Sequence, residues 1–459
     1  MKSCLSKLRN LCKIFSLIFP AITILYLIYI VILVKVILPM QTSNLALLNP
    51  TPLEENDCEG NVINDTIIKL NNSRTYLIAA YLDLRIVSRV RILGITYRYV
   101  EELLYCNFCF YDTNDTVLVE VDVHTDHFNF PYGTTDFLCP LRDKRIPEYV
   151  SIHQEGNDLP SVPILLKIQN IQPQKNNPSL QFEYDFLICI SALFGSYDNV
   201  LQFIQAMEMY QLLGAQKVII YHTDSSPVMK EVLSYYLNTD FLDLIPWPIT
   251  SFINVSTGWH YPEHPGDLHY YGQTAALNDC LYRHMYKSKF IALHDIDEII
   301  LPTIHKDWTE MLDYLENTSP TARAFLFQNH VFPTTFKDKA NSMTPETWLS
   351  VPGLNILQHV YREPNLPNEL NPTKMIINPR NVIRTSVHVP LDLIGTEFCV
   401  PEDIAKLCHY REPKQKGLEK EFLIKDTIMS RYEIHLIKRV NKVLKQIKSL
   451  KTGLKAKIK

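Results

Sequence analysis

The sequence predicts a mixed α/β protein, with a membrane-spanning helix and a smaller all-β region ahead of its main domain. Three observations predict this class. An uncharged apolar run stands near the N-terminus, period-two alternation fills residues 61–180, and from 185 onward apolar strands alternate with helical periods.

The apolar run covers 21 residues, Ile14 to Val34, close to the ~20 needed to cross a bilayer. Lys2, Lys7, Arg9 and Lys13 precede it, and Glu54, Glu55, Asp57 and Glu59 follow. The positive-inside bias assigns 1–13 to the cytosol, 14–38 to an uncleaved signal-anchor and everything later to the lumenal side. A cleaved signal peptide fits less well, because the run exceeds a typical h-region and no A-x-A-like site follows. Residues 39–60, with Pro39, Pro50 and Pro52, read as a short polar stem.

Between 61 and 180, TYLIAAYLDLRIVSRVRILGITYRYV and TVLVEVDV alternate in period two, with turn signals at 112–115 and 131–133. A Pro- and Asn-rich stretch at 170–179 reads as a linker. Beyond it, strands are expected at 185–194, 217–224, 243–249 and 289–302, and helices at 199–213, 227–237 and 272–287. Strands alternating with helices imply parallel βαβ units, whose ligands bind beyond the carboxyl ends of the strands. Residues 434–459 place Val440, Val443, Leu444, Ile447, Leu450 and Leu454 at helical spacing among lysines. This basic amphipathic tail is either solvated or docked on the acidic body or on anionic lipid.

Composition excludes several functions. The net charge of −4 conceals a basic N-terminus and a basic C-terminus around a strongly acidic body, which would repel nucleic acid. The 13 glycines never stand two apart, so neither a GxGxxG nor a GxxxxGK[ST] loop exists. Eight cysteines follow the span: Cys58, Cys106, Cys109, Cys139, Cys189, Cys280, Cys399 and Cys408. Cys106 and Cys109 lack a second metal-binding pair, so disulfide or free thiol is favoured over zinc. Five N-x-[ST] sequons, at Asn64, Asn71, Asn114, Asn254 and Asn317, suit a lumenal body.

The chemistry-bearing motif is His294-Asp295-Ile296-Asp297-Glu298, after the strand FIAL. On an extended chain Asp295 and Asp297 share one side while Ile296 returns to the core. Two such carboxylates form a hard-oxygen clamp for Mg²⁺ or Mn²⁺. A lone DxD is weak by itself, and a solvated strand end is its ordinary explanation.

The chain also resembles glycosyltransferase family 92, type II membrane enzymes with a GT-A-like (Rossmann-like) catalytic domain. The blocks that carry the likeness are FLICISALFGSYDNVLQFIQAMEMYQLLGAQKVIIYHTDSS, HYYGQTAALNDCLYRHMYKSKFIALHDIDEIILP, TKMIINPRNVIRTSVH and LCHYREP. The resemblance implies a catalytic domain over 181–433 that transfers a hexose, galactose from UDP-galactose, to a glycan with Mn²⁺ and with inversion. It places Asp295 and Asp297 on the metal, with His409 completing the coordination and His388 as the competing ligand. Arg411 would meet the diphosphate, with Lys374 and Arg380 as further cations. Gln273, Asn278 and Asp279 would bind the donor sugar, although exposed helical positions explain them equally. Ala192, Leu193, Phe194, Tyr221, Thr223 and Asp224 would wall the uridine site. The base is expected among Glu298, Glu363, Asp392 and Glu397. A Golgi enzyme is the expectation; a glycan-binding membrane protein that kept the fold and lost the chemistry is its rival.

Overall fold

The computed structural model describes residues 60–110, 114–154, 163–171, 182–338, 344–367, 369, 371–447 and 450. The expected cytosolic tail, membrane span and nearly all of the stem lie outside these residues. Among the described residues no helix is long and apolar enough to cross a membrane.

Residues 60–171 form two five-stranded sheets. One runs through 114–118, 104–109, 149–154, 164–167 and 61–62, and the other through 68–69, 75–83, 89–97, 132–140 and 120–123. A disulfide between Cys106 and Cys139 links them, and Cys109 is disulfide-bonded too. The strand Thr75–Asp83 is buried at every position where one-faced alternation was expected, and its run Tyr76–Leu82 is apolar throughout. Its second face is covered because Tyr76, Ile78 and Tyr81, with Leu93 and Ile95 of the neighbouring strand, share one apolar cluster with Leu187, Ile219, Trp247 and Leu281. Arg91, on the neighbouring strand, is buried against Asp83 and Asp136, as a charge removed from water requires.

The α/β part opens with β1 (Tyr184–Leu193), α1 (Val200–Leu212), β2 (Lys217–His222), α2 (Pro227–Asn238) and β3 (Leu242–Pro246). It continues through α3 (Gln273–His284), β4 (Ser288–Leu293), β5 (Glu298–Pro302), α4 (Trp308–Thr318), β6 (Ala322–Pro333) and β7 (Thr373–Ile377). A hairpin of β8 (Val382–Thr385) and β9 (Pro390–Leu393) precedes β10 (Thr396–Val400), β11 (Ala405–Arg411) and α5 (Glu433–Leu444). The nine-stranded sheet has the order β3-β2-β1-β4-β7-β6-β11-β5, with β10 on β6. Strands β3, β2, β1 and β4 are parallel. Strand β7 then runs antiparallel to both β4 and β6.

One expectation is corrected here. The apolar run 289–302 is two strands, because the chain leaves the sheet at His294 and turns before β5 pairs with β11. Of the alternatives left open for the basic tail, its described part packs on the body: Leu436, Val440, Val443 and Leu444 of the helix, with Ile447 and Leu450 beyond it, are buried in the main apolar cluster, and Leu454 lies outside the described residues. The helix's lysines remain on the opposite side, as an amphipathic helix on a globular body arranges them.

Candidate functional site

The acidic motif occupies the turn at the carboxyl end of β4, the edge where parallel strands present ligand sites. The turn closes when the Glu298 amide donates to the Asp295 carbonyl at 3.2 Å. It closes again when the Asp295 amide donates to Oε2 of Glu298 at 2.9 Å. Asp295 and Asp297 keep 36% and 34% of their side-chain surface exposed, while Ile296 is buried at 8%. The two carboxylates therefore reach solvent from one side, and the isoleucine anchors the turn from below.

Three elements converge on this turn. From β7, Nζ of Lys374 lies 2.9 Å from Oδ2 of Asp295 and 3.6 Å from Oε2 of Glu298. From the start of α3, Nε2 of Gln273 donates to Oδ1 of Asp295 at 3.1 Å. From β11, Nε2 of His409 is 3.2 Å from Oδ2 of Asp297, and Nδ1 is 3.2 Å from Oε1 of Glu298. The second contact is an ion-pair distance without hydrogen-bond alignment.

Charge and burial set the protonation. Burial pushes the Glu298 carboxyl above its ordinary value despite Lys374 and His409. Burial acts the same way on Asp295, but Lys374 outweighs it and holds that carboxyl below its usual range. Burial opposes charge on His409, yet Glu298 and Asp297 prevail and raise its imidazole. The ammonium of Lys374 is raised, since Asp295 and Glu298 overcome the cost of burying it. Burial pushes the Tyr270 phenol up to about 12, helped by Asp295 and Asp297.

The donor set suits a hard divalent ion. At metal–ligand distances of ~2.1 Å, neighbouring ligands of an octahedron stand about 3 Å apart, and Asp297 and His409 have that spacing. Among the described residues no three His, Cys, Asp or Glu side chains are already grouped as a metal site. Asp295 is drawn instead to Lys374 and Gln273.

The sequence model of glycosyltransferase family 92 matches residues 184–450, more than half of the chain. The chain belongs to glycosyltransferase family 92. A family 92 protein of Caenorhabditis elegans is 24% identical over 204 residues, covering 44% of this chain and 38% of its own. A β-1,4-galactosyltransferase of the same organism is 28% identical over 145 residues, covering 31% of each chain. A galactan β-1,4-galactosyltransferase of Arabidopsis thaliana is 24% identical over 263 residues, covering 56% of this chain and 46% of its own. The family 92 chain described here thus spans less than half the length of each of these relatives.

The fold of this family 92 member brings together Asp295, Asp297, Glu298, His409, Gln273 and Lys374. His388 borders them: its Nδ1 is 2.9 Å from the Thr373 carbonyl, and burial, aided by Lys374, lowers it to about 4. Arg411 is exposed at the end of β11 and makes no ion pair among the described residues. Asp224 lies at the carboxyl edge of β2, half-exposed, and accepts from Ser196 at 2.9 Å.

Several expected roles fall elsewhere. Asn278 and Asp279 are fully buried, and their polar capacity is spent inside the protein rather than on a donor. Nδ2 of Asn278 donates to the Thr274 and Thr385 carbonyls at 2.8 Å, and its Oδ1 accepts from the Thr385 amide. The Asp279 carboxylate accepts from the phenols of Tyr81 and Tyr221 and pairs with Arg283. Helix α3 is covered on nearly every side, so its polar residues had to bond internally. Lys374 is an internal counter-charge rather than a phosphate ligand. Arg380 is spent on the carbonyls of Met285, Ser288 and Lys289.

None of the four carboxylates considered as the base presents a free oxygen beside the turn. Glu298 is 2% exposed and braces it from beneath. Glu363 is buried and accepts from the amides of Lys414 and Gln415. Asp392 is paired with Arg384. Glu397 faces Ala324 in the register, whereas His409 faces Val331. Those positions on β6 are seven residues apart, roughly 23 Å at ~3.3 Å per residue.

Sequence reasoning missed the aromatic neighbours of the turn. Tyr270, Tyr271 and Gly272 are consecutive left-handed residues with φ of 32°, 58° and 69°, a conformation that disfavours side chains other than glycine. The strain is held by Phe194, which stacks on Tyr271 at 3.8 Å and meets Tyr270 edge-on at 5.4 Å. The HYYG block was its one visible signal.

Proposed function

We propose that this family 92 glycosyltransferase moves a hexose, galactose from UDP-galactose, onto a glycan acceptor with inversion of the anomeric centre. The observation that carries the proposal is the half-exposed pair Asp295 and Asp297, beside His409 and Arg411, where β4 ends. Asp295, Asp297 and His409 would hold Mn²⁺ or Mg²⁺. When bound, the ion supplies positive charge that stabilises the departing diphosphate.

The chain's own residues do the rest. Arg411 offers two parallel N–H donors to phosphate oxygens. Gln273 and Lys374 fix Asp295, and Glu298 fixes the turn, so the carboxylates are preorganised. The acceptor hydroxyl attacks the anomeric carbon, the carbon–phosphate oxygen bond breaks toward UDP, and a general base takes the hydroxyl proton. The two galactosyltransferase relatives support galactose as the sugar transferred.

A type II, Golgi-resident enzyme with a lumenal active site is the matching cellular setting. The N-terminal charge bias supports it. So do the disulfides Cys106–Cys139 and Cys189–Cys280 and the exposure of Asn64, Asn71, Asn254 and Asn317. The test is UDP release from UDP-galactose by the detergent-solubilised full chain. Release that needs added Mn²⁺ and stops with chelator is the expected result. Absence of release with every common UDP-sugar overturns the proposal and favours a glycan-binding protein without turnover.

A further inference from the structure

An aromatic surface next to the acidic turn has no role so far. The segment 252–269 joins β3 to the Tyr270 turn. It is a built loop: the Ser256 amide donates to the Leu268 carbonyl at 2.8 Å, and the Asp267 amide to that of Asn254 at 2.7 Å. The Ser256 hydroxyl, fully buried, donates to the Gly258 carbonyl at 2.6 Å. Gly266, at φ 155°, lets this chain pass so close that a Cβ would meet the Ser256 nitrogen at 2.5 Å.

The loop holds Trp259 and Tyr261 in solvent, 63% and 40% exposed. Tyr261 packs edge-on against Phe130 at 5.3 Å, and Phe130 meets His269 at 5.8 Å. Phe128 stacks on His269 at 4.1 Å. His269 adjoins Tyr270 at 6.1 Å, and Gln273, three residues further on, donates to Asp295 at 3.1 Å. A continuous path of rings therefore runs from the acidic turn to the loop tip, with Phe128 and Phe130 supplied by the β-rich region.

We propose that Trp259 and Tyr261 form the acceptor-glycan binding surface of this site, a deepening that rests on the glycosyltransferase function proposed above. A sugar ring carries an apolar C–H face and a hydroxyl edge. An exposed indole, edge-on to His260 at 5.3 Å, and a phenol packed on Phe130 match the face, and His260, Glu263 and His264 border them with hydrogen-bonding groups. Charge narrows the occupant to a neutral one. Residues 252–269 contain Glu263 and Asp267 but no Lys or Arg, so nothing there pairs with phosphate or anionic lipid, which need basic side chains. The donor diphosphate has its cation at Arg411 instead. Continuity with the turn through these rings is what ties the surface to the site of transfer.

The test measures retention of the full chain on an immobilised pool of released N-glycans and β-1,4-galacto-oligosaccharides, without any nucleotide sugar. Retention then reports this surface even where donor turnover fails. Trp259→Ala should weaken retention at least tenfold and Tyr261→Ala several-fold. Trp259→Phe should keep most of it, and Leu349→Ala, at an apolar residue still more exposed elsewhere, should leave it unchanged. The proposal is overturned if the wild-type chain binds no member of the pool, or if Trp259→Ala binds as the wild type does. It is overturned also if Trp259→Ala loses binding to phosphatidylcholine/phosphatidylserine vesicles while glycan retention stays.

Discussion

Lys374 sits 2.9 Å from Asp295 with only 3% of its side chain exposed. It is thus the buried counter-charge of the acidic turn, shared with Glu298 beneath. Replacing it with Met strands the Glu298 carboxylate in the interior. Breaking a buried pair costs about 3–5 kcal/mol, and the lower end applies because Asp295 is partly solvated. A drop of several degrees in Tm, with loss of donor turnover, is expected in a thermal melt. An unchanged Tm would show that the charge is not held there.

Asp295 and Asp297 each keep about a third of their side-chain surface in solvent, so Asp295→Asn with Asp297→Asn should still fold, at a lower Tm because Lys374 is left with Glu298 as its counter-charge. UDP release should fall at least a hundredfold, and raising Mn²⁺ should not restore it. Near-UV circular dichroism matching the wild type separates lost chemistry from lost structure. Turnover that survives both changes removes the proposed clamp.

Asp279 predicts the opposite pattern. Its loss to Ala leaves Arg283, whose side chain is only 21% exposed, without this carboxylate, and two buried phenols without their acceptor. The expected cost is about 3–5 kcal/mol, read as a lower urea midpoint. Tyr81→Phe removes one hydrogen bond to a charged group and should cost about 1.5–3 kcal/mol.

Acid should weaken the fold earlier than its carboxylates suggest. Burial lowers His269 and His284 to about 3 and His330 to about 4. Their unfolded value is ~6.5, so the unfolded chain binds their protons first. Stability from keeping them neutral is complete above that value and is lost as pH falls from it toward the folded values. Asp83, lowered to about 2 because Arg85 and Arg91 overcome the penalty of burial, contributes a later loss, below ~3.9. Urea midpoints at pH 7.5, 6 and 5 should decline steadily, and His284→Asn should shallow the slope.

Leu436 is fully buried where α5 meets the core. Leu436→Ala should cost about 2–5 kcal/mol. Ile434→Ala, at a residue 67% exposed on the same helix, should cost almost nothing. Equal costs in a denaturant titration would mean the helix is not packed as described.

The alternation of β1, α1, β2, α2 and β3 was legible because each element advertises its own period. The place of Asp295 and Asp297 was legible because ligand sites follow the carboxyl ends of parallel strands. What sequence could not carry was the covering of α3 from both sides. Asn278 and Asp279 look like surface polar residues until Tyr81, from a strand nearly two hundred positions earlier, arrives to bond one of them. Lys374 posed the same problem, since a cation near carboxylates and a cation for phosphate are the same residue type at the same strand end. The strained Tyr270–Tyr271 turn was barely legible, since tyrosine carries no signature of a positive φ and only the glycine that ends HYYG hints at one.

The apolar seam between the β-rich strands and the α/β sheet sets a rule for making this protein. An expression boundary chosen from the family match, near 184, would strip Tyr76, Ile78, Leu93 and Ile95 from Leu187, Trp247 and Leu281. Such a fragment would carry a greasy flank into solution and leave Asp279 short of its Tyr81 partner. A workable soluble version has to start upstream of Ile67.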